Sequence, residues 1–187
     1  MRVRKHKIGN LVWLDLEMTG LNPEVDHIVE IASIITDGHL NVLEEGPSLA
    51  IHQSEEVLAL MGPWVKDQHG KSGLTKAVQE STVTLEMAEI ETLEFIRKYC
   101  PPQTGLLCGN SIWQDRSFLR RHMPKITDYL NYRMIDVTSI KEVVHRWYAG
   151  SPHLDFPKSD KHRAMPDVFE SMEELRHYRK YFFISSD

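Results

Sequence analysis

"VWLDLEMTG", residues 12–20, decides how this chain folds. Val12, Leu14 and Leu16 alternate with other positions, the period of a strand with one apolar face. Asp15 and Glu17 fall in the same run. Side chains at i and i+2 of a strand share a face, so the two carboxylates lie side by side, about 7 Å apart at their Cα atoms. Carboxylates this close repel unless something positive sits between them. A solvated face or a paired arginine would meet that need. So would a divalent cation, because magnesium-type ions favour carboxylate oxygen.

Working outward, Asn22-Pro23 signals a turn. "HIVEIASIITD" (27–37) and "SLAIHQ" (48–53) then read as two further strands, with turns at Gly38 and Gly46-Pro47. Three consecutive strands joined this way predict an antiparallel meander. The period then changes. Pro63 ends any helix begun in "EEVLALMGPW". "TLEMAEIETLEFIRKYC" (84–100) places Leu85, Ala88, Ile90, Leu93, Phe95 and Ile96 at helical spacing. "GLLCGN" (105–110) is a short buried strand, and "SIWQDRSFLRRHM" (111–123) a helix with Asn110 or Ser111 as cap. "YRMIDVTSI" (132–140) predicts a strand that passes into the helix "TSIKEVVHRWY", and "PDVFESMEELRHYRKYF" (166–182) predicts the last helix. Strands first, then alternating helix and strand, imply an α/β fold: a mixed sheet of about five strands flanked by helices.

The 187 residues suit a single domain over 1–187, with a basic tail at 1–9 and a C-terminal tail at 182–187. Hydrophobic residues make up 41% and charged residues 26%, enough apolar material for a core. No apolar run approaches the roughly 20 residues of a membrane span. The basic start "MRVRKHKIGN" lacks the apolar stretch of a secretory leader. Cys100 and Cys108 form neither a C-x-x-C pair nor a disulfide pattern, which fits a reduced, cytoplasmic setting. With 22 Lys plus Arg against 27 Asp plus Glu, the net charge is -5. A grip on long duplex nucleic acid rests on a basic surface, so the charge argues against that partner and leaves a short, few-phosphate substrate open.

Two more acids extend the first pair. Asp115 falls early in a helix and Asp167 at the start of the last one, where acids also suit the helix dipole. His162 stands five residues before Asp167. On one continuous helix the two would point apart, since five residues rotate about 140° beyond a full turn. Pro166 disfavours helix at Met165 and suits the first helical position. His162 then lies on a loop able to fold over a site that Asp167 shares.

This set, Asp15, Glu17, Asp115, Asp167 and His162, resembles the four-acid-plus-histidine 3′-5′ exonucleases, whose fold is ribonuclease H-like. Within them, "LVWLDLEMTGL", "EGPSLAIHQ", "CGNSI" and "QDRSFL" on either side of Trp113, "YRMIDVTSIKE", and "KHRAM" with Asp167 look like the oligoribonuclease family. The likeness runs from about Asn10 to Tyr181. It implies two divalent ions, Mg²⁺ or Mn²⁺, held by the four acids, and His162 as general base for a water that attacks the terminal phosphodiester. It implies short single-stranded oligoribonucleotides as substrate, cut from the 3′ end to 5′-mononucleotides. Leu21 and Trp64 match the family's base wedge and stacking residue, His69 a position near the phosphates, and Ser111, Arg133, Thr138 and Ser139 the group capping the 5′ phosphate. In the family the partner subunit shares in that cap, so a homodimer is expected. Pro166 stands where the family often carries Asp or another helix-compatible residue, and Trp113 where a small residue is common. Asp136 reads as a strand-end or helix-cap residue, not as a ligand. Two other readings are a catalytically silent binding module and a DNA exonuclease.

Overall fold

The computed structural model of the chain describes residues 9–157 and 162–184. Most of the two expected tails, and residues 158–161 of the loop before His162, lie outside the described residues.

The expected meander is present. β1 (Leu11–Met18), β2 (Ile28–Thr36) and β3 (Val42–Ala50) pair antiparallel in sequence order. β4 (Leu106–Gly109) pairs parallel to β1, and β5 (Met134–Asp136) parallel to β4, giving the order β3-β2-β1-β4-β5. The result is a five-stranded mixed sheet. β2 is buried along its whole length, and β1 until its acids begin. Alternation sends Val12, Leu14 and Leu16 to one face. There they pack with Phe95 and Ile96 of α4 (Leu85–Tyr99), with Phe118 of α5 (Ile112–His122) and with Ile126 of α6 (Pro124–Tyr129). Leu11 and Trp13 face the other way. They meet Val144 of α7 (Val137–Trp147) and Val168, Met172 and Tyr178 of α8 (Ala164–Phe182). Asp15 and Glu17 continue that second face, toward α8. Each large side chain fully buried in these layers contributes about 1.5–3 kcal/mol. The indole Nε1–H of buried Trp13 donates to Thr36 Oγ1 at 3.1 Å.

Several expectations are corrected. β3 does not turn at Gly46-Pro47 but runs through both residues. As the outer strand it tolerates a proline without an N–H, and its pairing with β2 shifts between Ala32 and Ile34. A Cβ on Gly46 would lie 2.3 Å from the Phe95 ring, so glycine here admits α4 against the sheet. α1 (Glu55–Ala59) stops before Pro63, as expected, but Pro63 also opens α2 (Pro63–Lys71) at its first turn, and α3 (Leu74–Glu80) follows. On α4, Ile90 is exposed and Glu89 buried, because Glu89 Oε1 accepts the Lys125 backbone N–H at 2.7 Å. Ser111 stands at the N-cap of α5, yet in a left-handed conformation and without a capping side-chain bond. α8 starts at Ala164, so Pro166 is its third residue rather than its first. That position still lies within the first turn, whose N–H groups have no helical acceptor.

Candidate active site

Pairing between β1 and β4 ends at Trp13 and Cys108, although β1 continues to Met18. Past Gly109 the chain turns away into α5. A crevice therefore opens at the carboxyl ends of two parallel strands, where α/β sheets characteristically bind ligands. Gly109 allows the close approach: a Cβ there would lie 2.9 Å from the Leu14 carbonyl oxygen. The Leu16 N–H, beyond the reach of β4, donates instead to Asp115 Oδ1 at 2.9 Å. That bond ties the first turn of α5 to β1 and sets a buried carboxylate beside the opening pair of acids.

Asp167 arrives from the other side. It occupies the first turn of α8, with its N–H on the Arg163 carbonyl at 3.1 Å. Asp15, Glu17 and Asp167 each present a ligand atom within 4.8 Å of the others. Burial holds the Asp15 carboxyl well above the usual carboxylate range, and the charges of Asp115, Glu17, Asp167 and Glu30 push the same way. Burial likewise raises Asp115 to about 7, against the Leu16 N–H, which favours its charged form. The structure thus brings all four acids to one place. Their chemistry fits hard divalent cations: the donors are carboxylate oxygens, gathered closely enough to repel one another. Asp136 stays outside this group as a cap, its Oδ1 accepting from Thr138 N at 3.0 Å and Ser111 N at 3.1 Å.

His162 lies outside α8, on the loop as expected, with a positive φ of 47°. Its ring meets Trp64 edge to face, centroids 5.6 Å apart. Trp64 on α2 is 65% exposed and Leu21 after β1 is 75% exposed, so neither serves the core. Gln114 of α5 donates to the Leu21 carbonyl at 2.6 Å and steadies that loop. His69 is buried, its Nε2 3.2 Å from Glu17 Oε2. Ser111 and Thr138 face each other, with hydroxyl oxygens 3.2 Å apart and the Ser111 N–H on Thr138 Oγ1. Arg133 is not gathered with them: it is exposed, with its guanidinium over the Tyr132 ring. Ser139 lines a separate recess with Val143, Val144, Trp147 and Phe182.

Two supports of the site escaped the sequence reading. Glu30 of β2 receives Arg163, the residue after His162. Glu174 of α8, fully buried, accepts from Asn110 Nδ2 and from the Tyr178 hydroxyl, each at 2.9 Å. Asn110 Oδ1 in turn accepts from Thr138 Oγ1, so this network carries the Asn110–Ser111 turn. For Glu30 the hint was an acid inside an otherwise apolar strand; Glu174, among the many charged residues of α8, gave none.

The chain is similar to known exonucleases. The sequence profile of an exonuclease family, RNase_T, matches residues 12–175. Over 173 residues the chain is 53% identical to the oligoribonuclease of Pseudomonas syringae pv. syringae (strain B728a), covering 92% of this chain and 96% of that one. It is 51% identical to the mitochondrial oligoribonuclease of Mus musculus, covering 92% of this chain and 73% of that one. Among solved structures it resembles exonuclease I from Methylocaldum szegediense, with a TM-score of 0.72 at 17% identity over 93% of this chain. It also resembles the zinc-bound complex of E. coli exonuclease I with single-stranded DNA, with a TM-score of 0.72 at 15% identity. The chain spans 41% of each of those two chains, and the likeness to them is one of fold.

Proposed function

This chain belongs to the oligoribonuclease family of exonucleases, and from that premise we propose that it hydrolyses short single-stranded oligoribonucleotides from the 3′ end, releasing 5′-mononucleotides. One observation carries the reading: four acids from β1, α5 and α8 converge at the end of β1, with His162 on the loop that enters α8. Asp15, Glu17, Asp115 and Asp167 would hold two divalent cations, Mg²⁺ or Mn²⁺. When bound, such cations neutralise phosphate charge and stabilise the attacking and leaving oxygens of an in-line displacement.

The chain's own residues supply the rest. Histidine is the side-chain type suited to proton transfer near neutral pH, and His162 takes that role here. It accepts a proton from the attacking water as the new phosphorus–oxygen bond forms, and the 3′-oxygen of the shortened chain departs. Trp64 stacks on a base, a contact that tolerates any sequence because every base has a π-face. Leu21 wedges beside it. Glu17 holds His69 toward the phosphates, and Ser111 with Thr138 meets the 5′ phosphate. Arg133 and Ser139 join that cap in a homodimer, in which the partner subunit closes the slot. A closed slot makes substrates of two to a few nucleotides the preferred ones. It also lets a chain of charge -5 hold them, since few phosphates need neutralising. A reduced, cytoplasmic-type compartment fits two buried free thiols.

The test uses 5′-labelled RNA and DNA of two to about ten nucleotides, with Mg²⁺ or with EDTA. Expected are mononucleotide release only with metal, fastest on the shortest RNAs, and no release by Asp15→Asn. Cleavage independent of length would remove the short-substrate reading. Faster turnover of DNA would favour a DNA exonuclease, and binding without cleavage at any length a silent binding module.

A further inference from the structure

Glu30 of β2 lies directly opposite Glu17 in the antiparallel pairing with β1. Opposed residues share a face, so this acid neighbours the proposed cation ligands, yet it is 1% exposed. A carboxylate buried there is unfavourable unless its charge is paired and its oxygens are filled. Arg163 supplies most of that. Its Nη2 donates to Glu30 Oε1 at 2.6 Å, and its Nε is shared between Oε1 at 3.0 Å and Oε2 at 3.1 Å. Oε2 also accepts the Ala164 backbone N–H at 2.9 Å, one of the donors that the start of α8 leaves open. A single side chain of the sheet thus pins two consecutive residues, 163 and 164. The residue before them is His162, whose positive φ is unusual for a residue with a side chain and persists only where its surroundings hold it.

We propose that the Glu30–Arg163 ion pair is a positioning device for the general base: by fixing the backbone at 163 and 164 it presents the His162 imidazole to the attacking water. Arg163 then acts through His162 and not on the substrate. The same β1–β2 residue pair, Glu17 and Glu30, sets a cation ligand from one strand and the base from the other. This inference rests on the reading of His162 as base, and its test separates the two ideas.

Arg163→Ala is compared with wild type on a dinucleotide. The expected result is a loss of kcat of about tenfold, part of the hundredfold or more a general base provides, with KM changed by less than about twofold. Arg163→Lys, which keeps the charge but not the planar fork, should lose kcat too, and it stands in if the alanine variant fails to fold. In a His162→Ala background, Arg163→Ala should cost nothing further. The metal-free protein gives a second readout. A protonated imidazole beside an indole quenches it, so Trp64 fluorescence, taken as the difference from Trp64→Phe, should show a histidine step with pH. That step should shrink in Arg163→Ala and vanish in His162→Ala. An unchanged kcat, or an equal further loss in the His162→Ala background, overturns the proposal. So does a raised KM at unchanged kcat, which would make Arg163 a phosphate-binding residue. If His162→Ala alone keeps the wild-type rate, the base assignment fails, and a Trp64 step unaltered by Arg163→Ala then removes the positioning claim as well.

Discussion

At Asp115 a carboxylate is buried where β1 needs a hydrogen-bond acceptor and where the proposed cations would need a ligand. The two demands oppose each other without metal. Burial raises the group to about 7, whereas an unfolded aspartate titrates near about 3.9. Between those values the folded chain keeps a proton that the unfolded chain has released. Stability of the metal-free protein therefore falls as pH rises through that window. Asp15 shifts in the same direction and adds to the effect. We expect the melting temperature of EDTA-treated protein to drop by several degrees between about pH 5 and 8, where 1 kcal/mol corresponds to about 2–4 °C in a chain of this size. Asp115→Asn keeps an oxygen for the Leu16 N–H and should flatten part of that drop. Added Mg²⁺ should raise the melting temperature more at pH 8 than at pH 5. A metal-free melting temperature that is flat or rises with pH, and does so equally in Asp115→Asn, would contradict the account.

Among the elements, β3 has the clearest local constraint. Its Gly46 faces Phe95 of α4, and an added Cβ would fall at 2.3 Å and 2.5 Å from ring carbons and 2.7 Å from Ser33 Oγ. Gly46→Ala must displace a buried ring, at a cost of about 1–3 kcal/mol. The contact lies in the layer that holds α4, whereas Asp15 and Glu17 continue the face that packs on α8. Thermal unfolding should therefore move down by several degrees, while kcat on a dinucleotide well below the transition stays within about twofold; a large loss of kcat would mean that the two faces are coupled. β3 also marks how far local patterns reach. β1, β4, α4 and α8 were legible because their periods are local. The path of β3 through Gly46-Pro47 was not, since a turn dipeptide on an edge strand looks the same in one dimension. α1, α3 and α6 run for about two turns or fewer, too few to show a helical period, and α2 opens on Pro63, which reads as a breaker in one dimension. The acids were legible through their types and, as a set, through resemblance. The clamp that seats His162 was not, because its partners lie 133 residues apart and Glu30 alone reads as one polar residue in an alternating strand.

For the whole molecule, the proposed homodimer bears on the 5′ end of the proposed slot. Ser111 and Thr138 are already together at the site, whereas Arg133 stands exposed beside Tyr132 and Ser139 lines a recess on another side of α7. Such a division suits an assembly in which a second copy brings its own residues to the cap. Two-fold symmetry makes this testable without knowing the interface. Asp15→Asn lacks a proposed cation ligand but keeps the proposed cap residues; Arg133→Ala keeps its four acids but lacks the proposed cap arginine. Each alone should be slow on a 5′-phosphorylated dinucleotide, Arg133→Ala mainly through a raised KM. If Arg133 acts across the dimer, random mixed dimers contain one complete site each, and an equal mixture should recover about a quarter of the wild-type activity. The recovery should appear at low substrate, where KM matters, and should need time for subunits to exchange. A mixture that only averages its two components would place Arg133 in the slot of its own chain or outside it altogether. Sedimentation of the same samples then separates those outcomes: a single-chain mass would set the homodimer aside, and a two-chain mass would keep it while returning the cap to one subunit.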